Sequence, residues 1–309
     1  MPAFSEGILL ARIVVSKDTM KAVLLVVAVL GTLVTCHAQL FTFTRDDVIR
    51  YTAKNPFGRF EDGRPKVPDD LMEKVRELSS EEVWSVLSQA GYLSQYEGNW
   101  QILHPGRKLV GRAVTAQYMP TRPDVNDVIN AQAASRGLPE SLPERVIDRL
   151  QPGDVVVVDL FGKITDGTFG GDNLHTAIYT ATRTGFVIDG SIRDLGGVVQ
   201  LDAAGYFRGS TPTTYRNVML TGINVPIRIG AATVMPGDLV FGDREGVHFI
   251  PPHLVEEVIK QAKITHIHDE WTKAKLLTGK YKSSDIYPTP SDPVLKKEYE
   301  EYLQKRLRK

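Results

Sequence analysis

Pro152-Gly153-Asp154 runs straight into Val155-Val156-Val157-Val158-Asp159-Leu160, and this stretch constrains the fold more than any other. A Pro-Gly-Asp turn launches an extended segment, and an unbroken apolar run leaves neither face of that strand to water. The device recurs at Pro236-Gly237-Asp238-Leu239-Val240-Phe241-Gly242-Asp243. Two echoes do not make a repeat protein. They mark two buried strands, and the segments around them alternate between helical and extended patterns.

Further strands are expected at 109–116, 197–201, 217–221 and 247–250. Helices are expected at 126–134 and 143–150, and from about Asn173 to Arg183. Before the strands, the chain from Thr44 to about Gly91 reads as helical. Asp46 to Tyr51 makes a short segment, and Pro68-Asp69-Asp70 opens a second that carries Leu71, Val75 and Leu78. Ser79-x-x-Glu82 is a capping box that opens a third. After the strands, Tyr287 to Pro293 reads as an extended linker into a helix with Leu295, Tyr299, Tyr302, Leu303 and Leu307 on one face. That face must cover the body or a neighbouring subunit. The sum is a single α/β domain with one dominant core and helical extensions.

The N-terminus is set apart from this domain. Met20-Lys21 precedes an apolar run from Ala22 to Val34, and Thr35-Cys36-His37-Ala38 follows. A basic start, a short apolar stretch and a small residue before the cut describe a secretory signal peptide. The reading is a true start at Met20, cleavage after Ala38 and an exported chain, periplasmic or secreted. The run is shorter than the ~20 residues of a membrane span. Cys36 is the one cysteine, and Leu33-Val34-Thr35-Cys36 loosely resembles a lipoprotein box, so a lipid anchor there is the alternative. The segments are therefore 1–38, a helical 39–108, an α/β core at 109–260 and a helical extension at 261–309.

Lys plus Arg and Asp plus Glu number 37 each, so no net field draws the chain toward nucleic acid or a membrane surface. The chemistry is concentrated elsewhere. Gly170-Gly171-Asp172-Asn173-Leu174 is a glycine-flanked acidic turn opening a helix, whose first amides form a seat for a carboxylate or phosphate. A plain Asp helix cap is the bland alternative. Downstream, Asp189-Gly190-Ser191-Ile192-Arg193-Asp194 delivers a cation and a carboxylate at the carboxyl end of a buried strand, where α/β sheets bind ligands. Neighbouring residues on an extended chain point apart, so Arg193 and Asp194 are given separate tasks rather than a mutual ion pair. His175 follows the glycine turn and is placed beside the ligand. His266 and His268 lie two apart on a helix, facing different sides, and are not read as a metal site.

From about Leu109 to Val258 the chain resembles the family of the regulator of ribonuclease activity A and the divalent-metal-dependent 4-hydroxy-4-methyl-2-oxoglutarate aldolases, members of which are often mislabelled demethylmenaquinone methyltransferases. The resemblance is carried by Leu109-Val110-Gly111-Arg112-Ala113-Val114-Thr115, the two Pro-Gly-Asp turns, Gly171-Asp172 and Asp189-Gly190-x-x-Arg193-Asp194. It implies a swivelling β/β/α domain, a homotrimer or dimer of trimers, and sites between subunits. It implies Asp194 as ligand to Mg²⁺ or Mn²⁺, Asp172 holding metal-bound water, and Arg193 neutralising an enolate. The amides of Gly171, Asp172, Asn173 and Leu174 would take the carboxylate of a small keto acid. Where the family carries an acidic residue in its N-terminal helix, this chain has Ser85. Glu81 or Glu82 is a candidate substitute, and Glu270 is a candidate for the family's second neighbouring-subunit acid.

The expectation is thus a metal-dependent carbon–carbon lyase, aldolase-like with oxaloacetate decarboxylase activity. The rival is a non-catalytic binding protein of the ribonuclease-regulating kind. A methyltransferase is disfavoured, because no Gly-x-Gly-x-Gly loop follows a first strand.

Overall fold

The computed structural model describes residues 43–308. The proposed signal peptide, with Met20 and Cys36, lies outside the described residues. Helices α1 (Arg45–Tyr51), α2 (Asp69–Arg76) and α3 (Ser80–Gln89) come first, with the two-residue strands β1 (Gly58–Arg59) and β2 (Pro65–Lys66) between α1 and α2. Short strands β3 (Tyr96–Glu97) and β4 (Gln101–Ile102) lead into β5 (Leu109–Pro120), α4 (Pro123–Ser135), α5 (Leu142–Ile147) and β6 (Asp154–Thr168). Then follow α6 (Asp172–Thr182), β7 (Gly185–Ile192), α7 (Leu195–Val198), β8 (Ala204–Ser210) and β9 (Val218–Ile223). The hairpin β10 (Ile227–Ile229) and β11 (Ala232–Val234) precedes β12 (Leu239–Gly242) and β13 (Val247–Ile250). The chain ends in α8 (Val255–Leu276), α9 (Ser283–Ile286) and α10 (Pro293–Leu307).

Nine strands form one sheet in the order β3-β13-β12-β5-β6-β7-β8-β4, with β9 paired to the far half of β5. The strands β5, β6, β7 and β8 run parallel, and β12 and β13 return antiparallel. The valine run now has its explanation. Val156, Val158 and Leu160 enter one core with Val146 and Ile178 from the helices. Val155 and Val157 point the other way, into a core closed by the β10–β11 hairpin. A third cluster packs α2, α3 and α8 against β12 and β13. The single dominant core expected from sequence is therefore three apolar clusters packed on the two faces of one sheet.

The two Pro-Gly-Asp turns fold alike. Gly153 and Gly237 take φ of +82° and +85°, as the third residue of such a turn requires. Each aspartate carboxylate accepts the amide three residues back, Gln151 N to Asp154 Oδ2 at 3.0 Å and Met235 N to Asp238 Oδ2 at 2.8 Å. Their surroundings differ. Arg64 reaches Asp154 through both terminal nitrogens, at 2.9 and 3.3 Å, whereas among the described residues no cation bonds Asp238.

The Ser79–Glu82 capping box is present as expected, with Ser79 N donating to Glu82 Oε2 at 2.8 Å. The strand expected at 197–201 is not there. Asp194 adopts a left-handed conformation that starts the short helix α7, and the strand forms later, at Ala204–Ser210. The apolar face of α10 lies on α8, where the Tyr299 ring meets Trp271 and His268, each at 5.3 Å. Arg306–Glu270 and Lys275–Glu298 ion pairs lock the two helices at their edges. His268 bonds the Pro288 carbonyl at 2.9 Å, while His266 is exposed on another face. Among the described residues, no helix is long and apolar enough to cross a membrane.

One core residue stands out as costly. His248, 1% exposed, lies between the rings of Tyr96 (4.8 Å) and Phe241 (6.1 Å), and neither ring nitrogen has a hydrogen-bond partner among the described residues. Burial pushes the imidazole down to about 4, against a weaker opposing pull from Asp243. The unfolded chain therefore protonates first as pH falls, so this site's contribution to stability is whole above about 6.5 and drains away toward 4. His248→Phe removes two orphaned polar atoms and keeps the stacking. It should raise the unfolding free energy by about 1–3 kcal/mol and flatten the loss of stability between pH 6.5 and 4. Urea melts at pH 7.5 and 5 read both effects, and a destabilised variant at both pH values would contradict this account.

Candidate active site

The carboxyl end of β7 and the N-terminus of α6 meet because short backbone bonds tie them together. Phe169 N donates to Ser191 O at 2.9 Å, and Arg193 N donates to Gly170 O at 3.1 Å. The Ser191 hydroxyl is fully buried, donating to Ile164 O at 2.7 Å and sitting 3.2 Å from the Thr168 hydroxyl. These contacts stitch the loop 168–171 to the strand end 191–193. The acidic turn is thereby fixed directly above the Arg-Asp pair.

At this junction a side chain on Gly171 would have no room. A Cβ there would overlap the Asp194 carboxylate and approach Arg193 Nε to 3.1 Å. Gly171 is the N-cap of α6 and Asp172 is its first residue, so the alternative of Asp172 as a helix cap does not hold. The Asp172 carboxylate instead accepts from Asn173 N at 2.8 Å through Oδ1, and its Oδ2 lies against Gly197. The amides of Gly171, Asp172 and Leu174 donate to no acceptor among the described residues. That leaves three of the four N–H groups expected from sequence pointing out of the helix start, with the Asn173 amide engaged by Asp172.

Arg193 and Asp194 are 3.3 Å apart, Nε to Oδ2, so they do form the mutual pair that the extended-chain argument ruled out. The cause is backbone conformation. Asp194 has φ +55° and ψ +40°, which folds its side chain back toward Arg193. Both side chains remain substantially solvent-accessible, at 38% and 49%. The pair is thus poised rather than sealed.

His175 underpins this arrangement from below. It is 1% exposed, its Nδ1 lies 2.8 Å from Gly171 O, and its ring packs edge-on against Phe186 at 4.5 Å. Burial pushes it down to about 4, outweighing the Gly171 bond and the charges of Asp172 and Asp194. The imidazole is therefore neutral near pH 7, and a carbonyl partner requires the proton on Nδ1. Its role is to hold the Gly171 carbonyl, and with it the turn.

Asp172, Arg193 and Asp194 open onto a cavity of about 100 Å³, which Phe169, Thr214 and Tyr215 also line. Thr214 and Tyr215 come from the loop after β8 and carried no motif. Their Thr-Pro-Thr-Thr-Tyr run reads only as a turn. Glu82, a candidate substitute for the missing acid, is engaged in its capping box, and Glu270, the candidate second acid, pairs with Arg306. Burial, and then the neighbouring Asp269, Glu82 and Glu245, push Glu81 up from the usual carboxylate range. The Ser85 hydroxyl accepts from Gln89 at 3.1 Å.

The donor set suits a hard cation. Asp194 and Asp172 present carboxylate oxygens with no competing thiolate or imidazole in the cavity, and Mg²⁺ is commonly held by one or two carboxylates with water and substrate completing the shell. Among the described residues no group of three or more acidic, His or Cys side chains clusters to form an all-protein cage. The arrangement therefore fits an open site that shares its ion with substrate.

Comparison with known proteins identifies the family. A sequence model of the RraA-like family, described as Aldolase/RraA, matches residues 70–248. A Halalkalibacterium halodurans protein named "Putative 4-hydroxy-4-methyl-2-oxoglutarate aldolase" is 38% identical over 119 residues, covering 38% of this chain and 56% of that one. Protein DlpA of Legionella pneumophila is 27% identical over 215 residues, which are 68% of this chain and 32% of DlpA. The chain thus spans about half and about a third of these two relatives. Among solved structures, Streptomyces coelicolor RraAS2, described as an unusual member of the RNase ES inhibitor RraA protein family, superposes with a TM-score of 0.55 at 25% identity. That match covers 71% of this chain and 98% of RraAS2. An uncharacterised Pseudomonas syringae protein shares the fold, with a TM-score of 0.56 at 23% identity over 70% of this chain and 96% of its own. The chain belongs to the RraA-like family.

Proposed function

We propose that this site is the active centre of a divalent-metal-dependent carbon–carbon lyase acting on a small 2-oxo acid, with 4-hydroxy-4-methyl-2-oxoglutarate and oxaloacetate as its candidate substrates. One observation carries the reading: two carboxylates and a guanidinium converge over three free helix-start amides in a single small cavity. A bare binding surface has no need of that set. Relatives named as aldolases support the same chemistry.

When bound, Mg²⁺ or Mn²⁺ would supply Lewis-acid polarisation of the keto acid, with Asp194 as its ligand and Asp172 supporting its water. The free amides of Gly171, Asp172 and Leu174 would bind the substrate carboxylate, aided by the positive end of α6. As the bond next to the keto-acid unit breaks, its electron pair moves into the carbonyl and leaves an enolate. Arg193 is placed to face that charge, a stabilisation worth roughly 3–4 kcal/mol where a single donor has been removed from comparable sites. Oxaloacetate loses CO₂ in this step without a base, whereas retro-aldol cleavage must also remove a hydroxyl proton. Exposed Leu195 on α7 and Val199 at its end, just after Asp194, fit a subunit boundary at the site, as the homotrimer reading requires.

The test is pyruvate release from both substrates by chain starting at Gln39, with Mg²⁺, Mn²⁺ or EDTA. Release that needs the metal is the expected result. Folded protein that releases no pyruvate under any of these conditions would overturn the lyase reading and favour a binding protein.

A further inference from the structure

A second cavity, of about 520 Å³, shares no lining residue with the candidate active site and lies between the end of α1, the segment Tyr92–Gln95 and the turn Pro251–His253. Asp238 lines it and is 3% exposed. Its Oδ2 accepts from Met235 N at 2.8 Å, and its Oδ1 meets no donor among the described residues. The twin turn shows what is missing. Asp154 occupies the same position in its turn and is completed by the Arg64 guanidinium, while Asp238 lines a cavity and has no cation bonded to it among the described residues. Burial alone pushes the Asp238 carboxyl up to about 7, with only the Met235 amide opposing it.

The rest of the lining has the opposite charge and an apolar middle, and one of its two cations, Arg50, is already paired with Asp47 at 3.7 Å. Lys54 lines the cavity, is exposed, and forms no ion pair or hydrogen bond among the described residues. Tyr51, Met235, Pro251 and Pro252 supply apolar walls. Tyr92 Oη and His253 Nε2 satisfy one another at 3.3 Å, and burial, with Lys54 beside it, pushes His253 below its usual range, so this pair adds no charge. One anion and a separate free cation around an apolar middle do not suit a simple amine or a simple carboxylate. Both would meet a like charge.

We propose that this cavity binds a zwitterion of the free amino-acid class, its ammonium on Asp238 and its carboxylate on Lys54, with an apolar side chain against the walls. The ligand cation does for Asp238 what Arg64 does for Asp154. This site is independent of the lyase reading, because no residue lines both cavities.

Isothermal titration with L-leucine, isopentylamine and isovalerate tests it on the same chain used for pyruvate release. Leucine should bind saturably, and each single-charge analogue at least about tenfold more weakly. Asp238→Asn keeps an acceptor for the Met235 amide, and Lys54→Gln alters an exposed side chain, so both should fold. Each should weaken leucine by roughly tenfold or more and leave pyruvate release unchanged. Failure of all twenty common amino acids to bind at about 10 mM would overturn the proposal. So would leucine affinity indifferent to both substitutions, or an amine that binds as tightly as leucine.

Discussion

Asp194→Asn should cut metal-dependent pyruvate release by at least about 100-fold while leaving the fold intact. Asparagine is the informative replacement. Asp194 holds φ +55°, a conformation that Asn tolerates and that costs most other residues about 1–2 kcal/mol. Alanine would therefore mix a backbone effect with the loss of charge. The side chain makes no capping hydrogen bond to α7, so stability does not depend on it locally. What the substitution removes is one of two carboxylates able to hold a hard cation, together with the partner of Arg193. Metal binding and turnover should fall together, with the thermal midpoint of the metal-free protein unchanged. A variant that turns over at the parent rate with Mg²⁺ would show that Asp194 holds neither cation nor substrate. A lowered midpoint with normal turnover would make it structural.

How far the sequence anticipates this site depends on which interactions are local. The runs at 155–160 and 239–243 read as buried strands because their apolar character is continuous, and a continuous run has one interpretation when both sheet faces are covered. The strand at Ala204–Ser210 was misplaced for the converse reason. It carries Arg208, which local patterning counts against a strand. In the fold, Arg208 is neutralised at 2.6 Å by Asp189 and at 2.7 Å by Glu97, residues far away in the chain. The apolar residues at 197–201 looked more strand-like but sit downstream of a left-handed aspartate that diverts the chain into a helix. That same aspartate explains the unexpected Arg193–Asp194 contact. Composition carries no sign of a left-handed Asp, so both errors share one cause.

The convergence of Asp172 with Arg193 and Asp194 was legible, because a glycine turn before a helix and a polar pair after a buried strand both lie at strand carboxyl ends. Thr214 and Tyr215 were not, since a loop's contribution to a cavity depends on where its tip lands. His175 falls between these cases. Its position on the first turn was readable, but not that its ring turns inward to hold the Gly171 carbonyl.

The largest stability effect should come from Arg64→Met, a residue outside both cavities. Arg64 is 1% exposed and Asp154 is fully buried. Burial works to discharge Arg64, but Asp154 and Asp62 together hold it more firmly protonated than usual. On the other side, burial pushes the Asp154 carboxyl up and the Arg64 guanidinium works against that push. Each ion depends mainly on the other, with Asp62 sharing Arg64 and Arg112 adding a weaker pull on Asp154. Methionine fills much of the volume but leaves Asp154 with one hydrogen bond, from the Gln151 amide, and only the weaker pull of Arg112, and breaking one half of a buried pair typically costs about 3–5 kcal/mol. Adding Asp154→Asn should recover a sizeable part of that loss, since an amide still accepts from Gln151 and carries no charge to strand. Chemical denaturation of the two single variants and the double variant measures the coupling. The consequence extends along β6, because Asp154 is its first residue and Thr168, its last, lines the candidate active site. A single variant that loses less than about 1 kcal/mol would mean that water reaches Asp154 and that the twin-turn contrast with Asp238 is not electrostatic.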